Sequence, residues 1–435
     1  MTKKLKINGG AKLAPKHGED IHELTGFTPV QKMLESPSAK LDILAYNSLK
    51  GFMFTLNVDK DDSRYNTLGL NSNKFDTPIT SFIMKLVVIL DHNNFELSPF
   101  ETISKSSESE KSFFEEAKLQ MNIWKCSIEN GHPEICPAVA NLSIFDKNSS
   151  KQFIEFLLTI PETNEHTKTN KILKYLKNIL VEEEKYNGRI GLLLMPNIQN
   201  SLTRRNFLKK LKDDDTKDDD TKDDIKKYIN SYLAAQIVRL FLICKVIHFD
   251  LHNSNSLVKN GNINVKKNDY QSIIIDFGIA SDLTSGKDDE YLKEYEKDIK
   301  LKYIKDNYNT LLGPNIGETI ERYDDEYKTK FMRAIINHIY KTDKKFYGSD
   351  DDAQMSDFYD DLDKTDLSES FDILKSLIMI DIDKGHIKRP KKTIKRWGKK
   401  GYIGNLNDID DFKSVQLPDN FLNTHSNKTS SNKTQ

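Results

Sequence analysis

The sequence predicts an α+β chain in two parts, and three observations carry that expectation. Apolar runs of strand length, "KLDILAYNSL", "GFMFTLNV", "TSFIMKLVVILD" and "RIGLLLMPNI", crowd into the first 200 residues with one strong helical pattern among them. Helical periodicity dominates afterwards, in "SYLAAQIVRLFLICKVIH", "ETIERYDDEYKTKFMRAIINHIY" and "SFDILKSLIMIDI". Where the two regimes meet stands "VIHFDLHNSN" (246–255), followed by "IIIDFGIAS" (273–281), in which polar side chains crowd beside buried runs.

In chain order, residues 1–25 are polar and broken by glycine and proline, so they are expected to be disordered. "KLDILAYNSL" and "GFMFTLNV" are separated only around Lys50 and Gly51, which predicts a hairpin. Residues 59–79 carry turn formers and read as a long exposed loop before the strand containing "FIMKLVVI". A capping-box pattern, Ser107 with Glu110, opens a helix whose Phe113, Ala117, Met121 and Trp124 recur at helical spacing. "RIGLLLMPNI" is a buried strand ended by proline. Residues 212–224, "KDDDTKDDDTKDD", hold no apolar residue and read as an insertion loop; a second acidic insertion lies near 348–364. The expected division is an N-terminal part over 26–195, a second part over 196–415, and a disordered tail over 416–435.

Composition narrows the function classes. The 65 basic and 66 acidic residues leave a net charge of -1, so no global field attracts nucleic acid or an anionic membrane. Positive charge is local: "KGHIKRPKKTIKRWGKKGY" around Trp397 reads first as a solvated face, with nucleic-acid binding through residues 384–402 as the functional alternative. Three cysteines, Cys126, Cys136 and Cys244, without CxxC spacing argue against a disulfide framework or structural zinc, and each reads as a small buried hydrophobe. With no apolar run of membrane-spanning length and no secretory h-region, the expectation is an intracellular, cytoplasmic protein without a membrane partner. Abundant lysine, asparagine, aspartate and isoleucine suggest an AT-rich genome, such as that of a large DNA virus or a protist, which would place a viral protein in the host cytoplasm.

The polar cluster has the parts a phosphoryl transfer from ATP requires: a carboxylate to orient the acceptor hydroxyl and oxygen donors to hold Mg2+ against the phosphates. Asp250 is the candidate base. Asn255, five residues on, and Asp276, after the strand "SIIID", are the candidate metal ligands, and Gly278 lets the backbone turn away from the site. These residues resemble the catalytic loop and the DFG element of the protein-kinase-like superfamily.

That resemblance implies a two-lobed fold, with a β-rich N-lobe and a mainly helical, divergent C-lobe, and it covers somewhat over half the chain. It also implies further parts in a set order. Lys85, alone in an apolar strand, stands where such enzymes carry the lysine that grips the α and β phosphates. Its implied partner is a helix glutamate, Glu116 rather than Glu115, because Glu116 lies beside Phe113 and Ala117 on the inward stripe. "LLLMPNI" matches the hinge, with Met195 as gatekeeper, the Pro196 carbonyl accepting from adenine and the Ile198 amide donating to it. Phe277 would pack between lobes.

The pattern departs from the family in four places. The phosphate-covering loop has a single glycine, Gly51, with Lys50 supplying charge in place of the missing ones. Phe249 replaces the catalytic-loop arginine, which argues against switching by phosphorylation. His252 stands where protein Ser/Thr kinases carry a lysine, as in aminoglycoside phosphotransferases; it either steadies the transferred phosphate or orders the loop. No "APE" follows the DFG. The expectation is an atypical serine/threonine protein kinase using ATP and Mg2+, with a small-molecule kinase and a nucleotide-binding pseudokinase scaffold as alternatives.

Overall fold

A computed structural model describes residues 27–45, 51–59, 80–90, 107–128, 133–162, 168–182, 188–198, 200–244, 246–282 and 365–379, with scattered positions from 325 to 362. The chain is mixed α and β and divides into two compact units. One holds Met1–Lys118, Ala138–Asn197 and Asp408–Gln435, and the other holds Leu119–Pro137 and Ile198–Asn407. The predicted termini, the 59–79 loop except Asp59, most of the second acidic insertion and the basic segment 384–402 lie outside the described residues.

The first unit is built on an antiparallel sheet. After helix α1 (Phe27–Leu34), strands β1 (Lys40–Ala45) and β2 (Phe52–Asn57) form the predicted hairpin, with a bulge between Ile43 and Ala45. Strand β3 (Ser81–Ile89), β-branched and apolar, lies between β2 and β6 (Arg189–Pro196), and β6 also pairs with β5 (Asn141–Ile144). The order is β1-β2-β3-β6-β5, and β4 (Ser107–Glu108) adds a short parallel pairing to β3. Strands β3 and β6 are buried on both faces over most of their length, which accounts for runs that are apolar apart from Ser81, Lys85 and Arg189.

Helix α2 (Glu110–Ile128) begins two residues later than the capping-box reading required. Ser107 is taken into β4, and the cap is Ser109, whose Oγ accepts from the Ser112 N–H at 3.1 Å. Glu110 instead reaches Arg189 at 2.6 Å, at the start of β6. Helices α3 (Lys147–Leu157) and α4 (Thr169–Glu182) complete this unit.

Two close approaches set its registers. A Cβ on Gly191 would come within 2.6 Å of the Phe113 ring, so the absent side chain is what seats α2 on β6. Gly51 has φ 116°, and a Cβ there would meet the Leu86 carbonyl oxygen at 2.7 Å.

The second unit packs around α6 (Asp219–Arg239), whose C-terminal half is buried all round. Before it come β7 (Leu202–Thr203) and α5 (Arg204–Lys212). After it a five-residue π-helical turn, Leu240–Cys244, leads to β8 (Val246–Ile247). Strands β9 (Ser256–Lys259), β10 (Gln271–Ile274) and β11 (Ser281–Asp282) follow, and α7 (Leu367–Met379) packs on α6. The described residues between 325 and 339 are helical.

The insertion-loop reading of 212–224 is corrected here. Residues 219–224 form the first turns of α6, capped by Asp218, whose side chain accepts from the Thr221 N–H at 2.7 Å. Absence of apolar residues reported solvent exposure, not the lack of a helix: Asp219 and Asp220 complement the positive end of the helix dipole. Among the described residues no helix is long and apolar enough to cross a membrane.

Candidate functional site

Two polar clusters hold the residues singled out by sequence, one in each unit. In the first, Lys85 pairs in register with Met53 of β2 and Leu193 of β6, which places its side chain within the sheet core. Its Nζ donates to Glu116 Oε1 at 2.7 Å and to Oε2 at 2.9 Å, and both residues are 4% exposed. Glu116 rather than Glu115 makes this pair, because Phe113 seated at Gly191 turns the next helical position on that face toward β3. A buried lysine and carboxylate are tolerable only together, since each alone leaves an uncompensated charge out of water.

Met195 and Pro196 end β6 buried, with Pro196 opposite Phe82, and the next amide, Asn197 N–H, donates to the Ser81 carbonyl at 3.0 Å. The Ile198 carbonyl accepts from Ser201 N–H at 3.3 Å. Gly51 is committed to packing on β3, and Lys50 lies outside the described residues.

In the second unit the two motifs are clamped at both ends by the same pair of chain segments. Strands β8 and β11 pair through Ile247 and Ser281, and β9 and β10 pair through Ser256 and Ile274. The loop 248–255 and the segment 275–280 are therefore the two connections between these short ladders. One more main-chain bond, Ile275 N–H to the Asn255 carbonyl at 3.0 Å, extends the β9–β10 side.

His248 joins the two segments from inside. Asp250 N–H donates to its Nδ1 at 3.3 Å, which makes Nδ1 the unprotonated nitrogen, and Nε2–H donates to the Ile275 carbonyl at 2.9 Å. Burial pushes this imidazole down to about 4, with the Ile275 carbonyl and Asp276 acting in the opposite direction. It is a neutral brace at pH 7. Its ring packs 5.0 Å from that of Phe277, which is buried in this unit. The sequence motif alone assigns His248 no role, and the signal for one is its place two residues before Asp250.

Around this brace the polar groups converge. Asn255 Nδ2 donates to the Asp250 carbonyl at 2.8 Å and to Asp250 Oδ2 at 3.1 Å, so its Oδ1 is the end with metal-binding chemistry. His252 Nδ1 accepts from Ser254 N–H at 3.1 Å, a loop-ordering bond that requires this nitrogen to be unprotonated, and its Nε2 lies 3.8 Å from Asp250 Oδ1.

The backbone is strained on both segments. Phe249, next to Asp250, has φ 59°, and Asp276 has φ 65°. Gly278 lies in the turn closed by Ala280 N–H to the Phe277 carbonyl at 3.1 Å.

A support that sequence reasoning missed lies behind the loop. The buried Arg204 donates from Nη1 to Asn253 Oδ1, and from Nη2 to Asn230 Oδ1 at 2.6 Å and Asp361 Oδ2 at 3.1 Å. The next amide, Arg205 N–H, donates to the Asn253 carbonyl at 3.1 Å. Burial pushes the Arg204 guanidinium down and Asp361 opposes it. Nothing in the spacing of Arg204, Asn253 and Asp361 marks them as neighbours.

Asn255 and Asp276 together offer one amide oxygen and one carboxylate, a hard donor set too small for a protein-only cage. No cluster of three or more His, Cys, Asp or Glu side chains suited to a metal occurs among the described residues. That set fits Mg2+, which keeps several waters and completes its shell with substrate phosphates. Comparison of the chain with protein-family models and with curated proteins finds no match.

Proposed function

We propose that the chain is a divergent member of the protein-kinase-like superfamily, its two units the N- and C-lobes. On this reading it transfers the γ-phosphate of ATP to a hydroxyl, with Ser or Thr of a protein as the acceptor class. The observation that carries the reading is that one neutral histidine, His248, ties the Asp250 amide to the Ile275 carbonyl next to Asp276, while Asn255 bonds Asp250, across two strained segments. A solvated loop has no physical need for such an arrangement.

In this reading Asp250 accepts the acceptor hydroxyl's proton contact and aligns the oxygen for attack, held by Asn255 Nδ2. Lys85, fixed by Glu116, grips the α and β phosphates of ATP. Asn255 and Asp276 would hold Mg2+, which when bound supplies the positive charge that offsets the phosphate oxygens. Adenine is read by the backbone around Met195, Pro196 and Ile198.

The test is incubation of the purified chain with labelled ATP, Mg2+ and a panel of protein and small-molecule acceptors, beside Asp250→Asn. Transfer should fall by about 10²- to 10⁴-fold in the variant while ATP binding is retained. Undiminished transfer by Asp250→Asn would overturn the assignment. A second reading, a nucleotide-binding scaffold, draws on the commitment of Gly51 to packing, which leaves the presumed phosphate loop without a glycine to spare. It predicts ATP binding with no labelled acceptor in either protein.

A further inference from the structure

All three cysteines of the chain lie in the second unit and interact electrostatically with the guanidinium of Arg239, although Cys244 stands 118 residues from Cys126. Cys126 lies on α2 and Cys244 ends the π-helical turn after α6, with their Sγ atoms 2.9 Å apart. That is inside the contact distance of two sulfurs and about 1 Å beyond a covalent bond. Neither is in a disulfide. We propose that Cys126 and Cys244 are a thiol-oxidation site that closes reversibly to a disulfide, six residues ahead of Asp250.

The backbone beside Cys126 is held by a cation from the helix that leads to Cys244. Arg239, the last residue of α6, donates from Nη2 to the Ser127 carbonyl at 3.0 Å, adjoining Cys126, and from Nη1 to the Pro133 carbonyl at 2.7 Å. α2 and the end of α6 are thereby tied together where the sulfurs meet. Cys136 is set apart by its surroundings: it is buried, its Sγ donates to the Gln120 carbonyl at 3.3 Å, and burial pushes its thiol up. It remains a bystander.

Cys244 is the more exposed of the pair and meets the oxidant first, a low-molecular-weight disulfide such as glutathione disulfide. Its thiolate attacks one sulfur of that disulfide, forming a mixed disulfide and releasing one glutathione thiolate. Cys126, as thiolate, then attacks Cys244 Sγ and displaces the second glutathione. Two protein thiols become one disulfide, the oxidant is reduced to two thiols, and the two protons pass to the leaving thiolates. The bond would cross-link the C-terminal end of α2 to the segment that enters the Asp250 loop.

This site does not depend on the phosphotransfer reading, and its test has its own readout. The full-length protein, reduced and then exposed to glutathione disulfide, is acid-quenched, denatured and assayed for titratable thiols, then mapped by peptide mass. The three thiols should fall to one, the bridge should map to Cys126 and Cys244, and dithiothreitol should restore all three. Cys126→Ser should stop at a single glutathione adduct on Cys244, while Cys136→Ser should form the same bridge as the native chain. Three titratable thiols after oxidation, a bridge that includes Cys136, or a bridge only between chains would overturn the proposal. Loss of phosphotransfer alone would leave the thiol count untouched, so the two readings fail separately.

Discussion

The His248 brace can be weighed through its proton. Folding holds this imidazole near 4, against an ordinary value of 6.5. Below pH 6.5 the unfolded chain takes up a proton that the folded site refuses until about pH 4. The stability this residue supplies is therefore complete above the upper value and is lost as pH falls through the window. The gap of about 2.5 units corresponds to about 3 kcal/mol. His248→Leu removes that component and leaves the Asp250 N–H and the Ile275 carbonyl without this partner, costing about 1 to 3 kcal/mol for each group if it stays dry. Urea unfolding of both proteins at about pH 7 and about pH 4.5 separates the effects. The variant should be less stable at the higher pH, and the difference should shrink on acidification. An unchanged difference across the range would refute the argument that a neutral, buried His248 braces the two segments.

Two further perturbations test the first unit. Glu116→Gln removes the carboxylate that neutralises Lys85 and should cost about 3 to 5 kcal/mol in urea unfolding, whereas Lys85→Met with Glu116→Leu should recover most of it. A double variant as unstable as the single one would show that the pair is not the source of the loss. Gly51→Ala forces an L side chain to φ 116° and against the Leu86 carbonyl, so its unfolding midpoint should drop by the equivalent of at least about 1 to 3 kcal/mol. An unchanged midpoint would remove the packing account of this glycine.

What could be read in the sequence was whatever a local period determines. The strands around Lys85 and Met195 are largely apolar runs, and the inward stripe of α2 distinguishes Glu116 from Glu115 in the sequence alone. Local competition was harder to read. Ser107 and Ser109 are both competent caps, and pairing of Ser107 with Val88 decided between them. The acidic repeat concealed a helix start because hydropathy carries no information about a turn whose stability comes from a cap and the dipole. Long-range convergence left no trace at all. The meeting of Cys126 with Cys244, and of Arg204 with Asn253 and Asp361, follows from how α5, α6 and α2 pack rather than from any spacing.

The left-handed residue beside Asp250 has a consequence for anyone who would stabilise this protein. Asn200 and Asn260 also have positive φ, but asparagine adopts it readily; Phe249 does not. Glycine at 249 would relieve about 1 to 2 kcal/mol of backbone strain and surrender about 1.5 to 3 kcal/mol of aromatic burial. The exchange loses on balance. A screen guided by backbone geometry alone would choose this substitution early, and would weaken the loop that it set out to relax.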